Sequence, residues 1–320
     1  MVGIVVLNYN NVSDIRICIE SVAKFTDFSQ AKLIVIDNGS KETVVNYVKT
    51  MMKSLFSDVK IILEGQKCSD LSQANYVMLN DNRGYARGNN AALEYLYADQ
   101  DITEVLILNS DIILTSDIVS QLVVKLYEIS DVGALSPILY RPTGEIDYCC
   151  ARKNYSSTDL MLTFSILGAK QYNKRKDSNK ILLQNPELIN KSIVEIELPS
   201  GSCMMFKKSV LQKIDGFDSN TFLYYEESIL HKKLHSIGCH NYVVPTIGCI
   251  HTGGATTTST KNAYFLKRCN FDSVMYYCKH YENMKSYQLI YMYISAHIIL
   301  SRLWLGRLAR NVFKKLLVMR

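Results

Sequence analysis

The stretch Glu104–Asp111, EVLILNSD, restricts the folds open to this chain more than any other. Four apolar residues in a row, Val105, Leu106, Ile107 and Leu108, stop abruptly at Asn109, Ser110 and Asp111. A short run that is apolar throughout, rather than alternating, suits a strand covered on both faces. Its polar end marks where the strand leaves the core, and in open α/β sheets ligands sit beyond the carboxyl ends of the strands. A carboxylate at that edge can hold a hard divalent cation against a diphosphate. The plainer alternative is that Asp111 caps the next helix, because Thr115, Ser116 and Asp117 follow closely.

The same pattern recurs along the first half of the chain. Val2–Leu7 reads as a buried strand closed by Asn8, Tyr9, Asn10 and Asn11, and Leu33–Ile36 as a second that ends in Asp37, Asn38, Gly39 and Ser40. Val59–Leu63 is a third, and Tyr76–Leu79 runs into Asn80-Asp81-Asn82-Arg83-Gly84-Tyr85. Helical spacing lies between them: Ser13 stands as a cap ahead of Ile15, Ile19 and Val22, and Val44, Val45 and Val48 follow the second strand. Further helices are predicted over about 86–97 and 116–129. Strands and helices that alternate through short polar turns predict an α/β fold with a mostly parallel central sheet and helices on both faces. The turns after Leu7, Ile36, Leu79 and Leu108 should then share one edge, the predicted nucleotide cleft.

Beyond about residue 147 the chain is less regular. A charged surface loop is expected at Lys170–Lys180, within an insertion that shapes the acceptor side. Strand-like patterns return at Ile193–Leu198 and Ser202–Phe206, and a helix near Ser209–Ile214 ends at Asp215-Gly216. The net charge of +6 is placed unevenly. Acidic residues stop at Glu282, and Lys285, Arg302, Arg307, Arg310, Lys314, Lys315 and Arg320 follow. Leu289–Leu305 approaches a membrane span in length but is interrupted by His297, Ser301 and Arg302. On a helix, Leu305, Leu308, Ala309, Val312, Phe313 and Leu316 share one face, with Arg302, Arg307, Arg310 and Lys314 largely opposite. That suits an amphipathic helix lying on a membrane surface. The alternative is packing onto its own domain or onto a second subunit, which leaves an oligomer open. A spanning helix is not expected, and neither is a nucleic-acid partner. The nine cysteines are scattered, without CxxC or zinc-finger spacing, and the chain enters a strand at once with no basic leader. Both features point to the cytoplasm.

Four motifs in order, VVLNYNN (5–11), VIDNGS (35–40), NRGYARGNN (82–90) and LNSD (108–111), resemble the family 2 glycosyltransferases, above all the rhamnosyltransferase-like branch that builds bacterial surface polysaccharides such as capsule and O-antigen. The resemblance continues through SGSCMMFKKSVLQKIDGFD (200–218), FLYYEESIL (222–230), HTGG (251–254) and RCN (268–270), covering about residues 2–280. It implies a GT-A type nucleotide-sugar-binding domain over 1–282. Its nucleotide-binding half would be about 1–135 and its acceptor-binding half about 136–282, with a basic amphipathic helical extension at 283–320.

Each motif also has a reading of its own. Asp37 would accept hydrogen bonds from the ribose or base, as the family's equivalent acid does, or else close an Asx-turn with Asn38-Gly39. Backbone groups around Leu7, Asn8 and Tyr9 would meet the base, with Tyr9 placed to stack. Gly84 and Gly88 would let the backbone of the Gly84-Tyr85 helix start approach a ligand, and Asn90 carries more weight there than Arg87. LNSD occupies the place of the family's metal-binding DxD, with Asn109 and Ser110 ahead of Asp111 as the direct ligand to Mg2+ or Mn2+. His251 resembles the family's late histidine, which completes the metal site or touches the diphosphate; a structural role is its alternative. FLYYEESIL matches a motif whose second acid is the general base, which makes Glu227 the candidate and Glu226 the reserve. Glu227 replaces an aspartate and Ile229 stands where another acid is usual, and both departures bear on that assignment. Gly201 marks either a close approach to sugar or acceptor, or a plain turn.

The implied reaction is metal-dependent inverting transfer of a hexose from a nucleotide-sugar, dTDP-L-rhamnose first and UDP-hexoses next, to a glycan or lipid-linked oligosaccharide at the inner face of the cytoplasmic membrane. Two other readings compete: a non-catalytic nucleotide-sugar-binding protein of the same fold, and a sugar nucleotidyltransferase. The second wants a Gly-rich basic loop after the first strand, which LNYNN lacks. A dinucleotide GxGxxG is also absent there.

Overall fold

A computed structural model describes residues 1–164, 178–253 and 263–318, with side chains to residue 306. In chain order the described elements are β1 (Val2–Asn8), α1 (Ser13–Phe25), β2 (Ala31–Asn38), α2 (Glu42–Leu55), β3 (Val59–Leu63), β4 (Ala74–Leu79), α3 (Gly84–Ala98), β5 (Glu104–Asn109), β6 (Ile112–Ile113), α4 (Ile118–Glu128) and β7 (Val132–Tyr140). Then come β8 (Ala151–Arg152), α5 (Ser157–Thr163), α6 (Ile181–Gln184), β9 (Val194–Ile196), β10 (Leu198–Pro199), β11 (Cys203–Lys207), α7 (Lys208–Lys213), α8 (Glu226–Ser236), β12 (His240–His251), α9 (Ala263–His280) and α10 (Ser286–Val318). The chain divides into two compact units, one of Met1–Asn154, Ser178–Phe222 and Glu226–Gly254, the other of Tyr155–Asp177, Leu223–Tyr225 and Ala255–Arg320.

The first unit is built on a sheet ordered β3-β4-β2-β1-β5-β11-β7-β12-β6, with β9 beside β12. Strands β3, β4, β2, β1 and β5 are mutually parallel, as the alternation of strands and helices predicts. Side chains along β1 point alternately to two hydrophobic cores. Ile4 and Val6 pack with Ile15, Ile19 and Val48 of α1 and α2, whereas Val5 joins Leu93 and Leu96 of α3. Because helices cover both faces, polar side chains are costly along the strand, and β1 reads as continuously apolar up to Leu7. Each such side chain contributes roughly 1.5–3 kcal/mol on burial.

Beyond β5 the direction changes. β11 runs antiparallel to β5 with Cys203 opposite Leu108. The next strand, β7, is antiparallel to β11 and parallel to β12. β6 then returns antiparallel to β12, pairing Ile112 with His251. Two expectations about helix starts are corrected. Ser13 begins α1, but the capping bond is made by Asn11, whose Oδ1 accepts the Asp14 N–H at 3.1 Å. The cap of α4 is Asp117, which accepts from Ser120 N–H at 3.0 Å, and so Asp111 does not serve as that cap.

The second unit is helical in its described part. Phe164 lies 5.2 Å from Phe271 and 6.4 Å from Tyr225 between ring centroids, and Tyr225 stacks on Tyr277 at 5.5 Å. Ser273 Oγ donates to the Leu223 carbonyl at 2.7 Å. α10 packs against α9, and Met292 and Ala296 of α10 are buried. Tyr287, Ile290, Tyr291, Ile294 and Ile298, at helical spacing, are exposed. By length and composition Ser286–Gly306 is sufficient to cross a membrane. Most of the charged loop expected at Lys170–Lys180 lies outside the described residues. So do Gly254 and, from residue 307, the side chains of the expected amphipathic face.

Candidate functional site

The sheet carries Asn8, Asp37 and Asn109 to one edge, where β1 lies between β2 and β5. Asn8 and Asp37 are opposite one another at the ends of β1 and β2, both fully buried. Asp37 does close a turn: Oδ1 accepts the Ser40 N–H at 2.7 Å, and Oδ2 accepts the Tyr76 hydroxyl at 3.0 Å. Burial and the Asp37 charge push the Tyr76 phenol far above its ordinary value, which keeps it a donor. The Asn8 amide differs. Neither its nitrogen nor its oxygen has a hydrogen-bond partner, an expensive state for a buried group. Tyr9, 38% exposed, stands beside it with its ring in reach of solvent.

The NRGYARGNN segment is held by the chain itself. Asn38 accepts the Arg83 N–H at 3.0 Å and donates to the Gly84 carbonyl at 3.0 Å. Gly84 has φ +79°, and a Cβ there would lie 2.1 Å from the Phe222 carbonyl oxygen; a Cβ on Gly88 would meet Leu7 at 2.7 Å. These close approaches are to protein rather than to open space. Asn90 is likewise engaged, donating to Phe217 O at 2.7 Å and accepting from Phe217 N–H at 2.9 Å. Arg87 Nε donates to Ser219 O at 2.7 Å. A cavity of about 840 Å3 opens beside this segment, but none of Asp37, Asp111, Glu227 or His251 lines it.

Glu226 and Glu227 open α8, where the helix dipole favours acids. The two residues before it, Tyr224 and Tyr225, have φ +75° and +69°, a strained conformation for non-glycine residues. Glu227 Oε1 accepts the Gly201 N–H at 3.1 Å, and Arg152 Nη2 lies 3.7 Å from the same oxygen. Gly201 O accepts the Tyr85 hydroxyl at 2.6 Å. Burial, then the charges of Glu227 and Glu226, raise the Tyr85 phenol well above its usual value. A Cβ on Gly201 would approach Glu227 Oε1 to 3.1 Å, so the glycine there serves the approach of the carboxylate.

Asn109, Ser110 and Asp111 follow β5 as a polar step. Asn109 N–H donates to Ser202 O at 2.9 Å, and its side chain to Ser202 Oγ at 3.3 Å. Asp111 is buried at 8% exposure, and its Oδ2 lies 3.4 Å from His251 Nε2. Ser202 Oγ is 3.3 Å from the same nitrogen. The other ring nitrogen, Nδ1, faces Asp147 Oδ2 at 3.3 Å. Burial works against a charged His251, but the two carboxylates outweigh it and raise the imidazole to about 9. Asp147 is held down at about 2, chiefly by His251, with partial burial opposing.

Among the described residues no group of three or more His, Cys, Asp or Glu side chains is arranged to share a metal ion. Asp147 and Asp111 sit on opposite nitrogens of His251, which is why they do not form one. The sequence by itself assigns no role to Asp147, Arg152 or Ser202. Asp147 and Arg152 belong to no motif, and their places depend on the parallel pairing of β7 with β12 and the antiparallel pairing of β8 with β10.

The His251 shift has a direct consequence in the metal-free protein. The folded value of about 9 lies above the ordinary 6.5, so its contribution to stability is complete below pH 6.5 and is lost as pH rises through 9. Histidine ring-proton NMR, assigned with His251→Gln, should show a midpoint near 9; a midpoint at the ordinary value would contradict the paired geometry.

The Glycosyl transferase family 2 profile matches residues 3–215. The low-salt glycan biosynthesis hexosyltransferase Agl10 of Haloferax volcanii is 23% identical over 225 residues, 70% of this chain; the chain spans only 58% of that protein's length. Rhamnosyltransferase WbbL of Escherichia coli K12 is 25% identical over 235 residues, 68% of this chain and 82% of its own. Among solved structures, the mannosyltransferase PcManGT of Pyrobaculum calidifontis, in complex with GDP-Man and Mn2+, superposes with a TM-score of 0.53 at 15% identity, covering 93% of this chain and 69% of that one. GalNAc-T7 with UDP, GalNAc and Mn2+ gives 0.56 at 11% identity, over 78% of this chain and 43% of that one. These likenesses establish the fold as the GT-A type. With two thirds of its length under the family profile, the chain belongs to glycosyl transferase family 2.

Proposed function

We propose that the chain is an inverting glycosyltransferase that moves a hexose from a nucleoside-diphosphate donor to a hydroxyl of a growing, lipid-linked glycan at the cytoplasmic face of a membrane. One observation carries the reading: two consecutive residues tie together the base side and the leaving-group side. Gly201 N–H holds the Glu227 carboxylate, and Ser202 Oγ touches both His251 and Asn109. Direct displacement needs a base and a diphosphate-binding edge fixed side by side.

In this reading Glu227 is the general base, with Oε1 anchored on Gly201 and Oε2 taking the acceptor proton. Glu226, 8% exposed, is the weaker candidate because it is further withdrawn from solvent. The acceptor oxygen attacks the anomeric carbon opposite the diphosphate, the bond to the departing oxygen breaks, and the configuration inverts. No covalent nucleophile is required. The carboxylate of Asp111 and the imidazole of His251, 3.4 Å apart, offer donors suited to Mn2+ or Mg2+ once the proton between them is lost. A divalent cation held there neutralises charge on the leaving diphosphate. The Mn2+ in both structures named above supports this. The unpartnered amide of Asn8 offers the base a donor and an acceptor, and Tyr9 offers it a stacking face. Asp37, with both oxygens engaged, acts through the turn it holds. Similarity to a rhamnosyltransferase supports trying dTDP-L-rhamnose first among donors, with UDP-hexoses next.

A calorimetric panel of dTDP-rhamnose, UDP-glucose, UDP-galactose, UDP-N-acetylglucosamine and GDP-mannose, with and without Mn2+, tests the chemistry. One donor should bind more tightly with metal, and Asp111→Asn should abolish that gain. Glu227→Gln should keep donor binding and lower turnover by roughly 10²–10⁴-fold. Silence towards every donor would sink the transferase reading.

The membrane part of the proposal rests on the exposed apolar face of α10 and on the absence of any acidic residue after Glu282. Full-length protein should sediment with phosphatidylglycerol vesicles and less with phosphatidylcholine, and salt should weaken the binding. A double variant, Ile290→Ser with Ile294→Ser, should remain in the supernatant. Wild type that stays soluble with anionic vesicles at low salt would refute the attachment.

A further inference from the structure

One short segment reaches both sides of the candidate site. A 3-10 turn, Tyr148–Cys150, starts at Asp147 and runs straight into β8, which ends at Arg152. At its front, Asp147 Oδ2 lies 3.3 Å from His251 Nδ1, and Oδ1 accepts the Cys149 N–H at 3.1 Å. At its back, Arg152 Nη2 lies 3.7 Å from Glu227 Oε1, while Nε donates to the Cys149 carbonyl at 3.0 Å. The two polar groups of a single peptide residue therefore hold both charged side chains. Both are half-buried, with side-chain exposures of 14% for Asp147 and 18% for Arg152. The segment is itself tied down. Asp147 N–H donates to Leu139 O at 2.8 Å, Glu197 N–H donates to Arg152 O at 3.2 Å, and β8 pairs with β10 just ahead of Ser200 and Gly201.

Geometry decides what each side chain can do. A carboxylate on Nδ1 keeps the proton of a neutral imidazole on that nitrogen, which leaves the Nε2 lone pair facing Asp111. Asp147 cannot join Asp111 as a ligand to the same ion, because the ring stands between them. A guanidinium beside Oε1 is always charged and presents a fixed fork, so it restrains the carboxylate's rotation as well as its charge. With Gly201 N–H on the same oxygen, Oε1 is doubly engaged.

We infer that Asp147 and Arg152 are positioning residues carried by one segment, Asp147 orienting His251 towards the metal side and Arg152 orienting Glu227 towards the acceptor. The inference rests on the transferase reading and extends it to two residues outside the motifs of the family resemblance. The segment acts as a spacer that fixes the distance between base and leaving group, alongside Gly201-Ser202.

The test uses the full chain with Asp147→Ala, Asp147→Asn, Arg152→Met and Arg152→Lys. Mn2+ with UDP or dTDP serves as the calorimetric probe, and release of nucleoside diphosphate from the donor found in the panel measures turnover. Asp147→Ala should weaken Mn2+ binding by about 10–100-fold, with Asp147→Asn recovering part of it and metal-free nucleotide binding unchanged. Arg152→Met should lower kcat by at least about tenfold while KM stays within about threefold, and Arg152→Lys should restore part of kcat. The Asn and Lys variants retain volume and hydrogen-bonding capacity, so they still report if Ala or Met prevents folding. Unchanged Mn2+ affinity in both Asp147 variants, or a fall in KM-governed binding that matches the fall in turnover at Arg152, would overturn the assignment while leaving the transferase reading intact. A wild type that neither binds a donor nor turns one over would overturn both.

Discussion

The site depends on the antiparallel pairing of β11 with β5. That pairing sets Cys203 opposite Leu108 and brings the Ser202 carbonyl onto the Asn109 N–H at 2.9 Å. Residues immediately before β11 therefore lie beyond the carboxyl end of β5, where the polar step Asn109-Ser110-Asp111 also lies. From that position Gly201 can reach Glu227, and Ser202 can reach His251. A register slip of one residue would turn every side chain of β11 to the other face and dissolve both contacts. The core of Cys203, Met204, Met205 and Phe206, fully buried, is what resists that slip.

Around this join, charge is arranged so that few groups are left uncompensated. Asp111 and Asp147 flank His251, and the net charge of the trio with a protonated ring is −1 rather than −2. A cation arriving at Asp111 competes with that proton. On the other side Glu227 faces Arg152, while neutral Tyr85 donates to the carbonyl of Gly201. Asn8 is one exception: a buried amide with neither atom satisfied, placed where the edge of the sheet opens. Such a group is costly in isolation, and a ligand able to pair with it recovers that cost on binding.

Much of this could be read from sequence where the signal is local. The apolar runs gave the parallel strands because burial on both faces leaves no room for alternation. LNSD, IDNGS and EES marked strand and helix ends because polar residues must appear where the backbone leaves the core. Less was legible where a residue's partner is distant in sequence. Gly84 and Asn90 look like ligand contacts in isolation, yet they meet Phe222 and Phe217, more than a hundred residues away. Ser13 looks like a cap, but Asn11 makes the bond because its side chain can reach the Asp14 N–H. Asp147 and Arg152 had no signature at all, since their roles arise from the way β7, β8, β10 and β12 pair.

The central claim is that Asp111 and His251 form the leaving-group side of a transferase site whose base is Glu227. It is tested most directly by a crystal structure of the full chain grown with Mn2+ and the nucleoside diphosphate that binds, with the metal located by anomalous scattering. A single manganese peak is expected about 2.0–2.3 Å from an Asp111 carboxylate oxygen and His251 Nε2, with the diphosphate on its open positions. A peak coordinated by neither residue, with the nucleotide bound elsewhere, would contradict it.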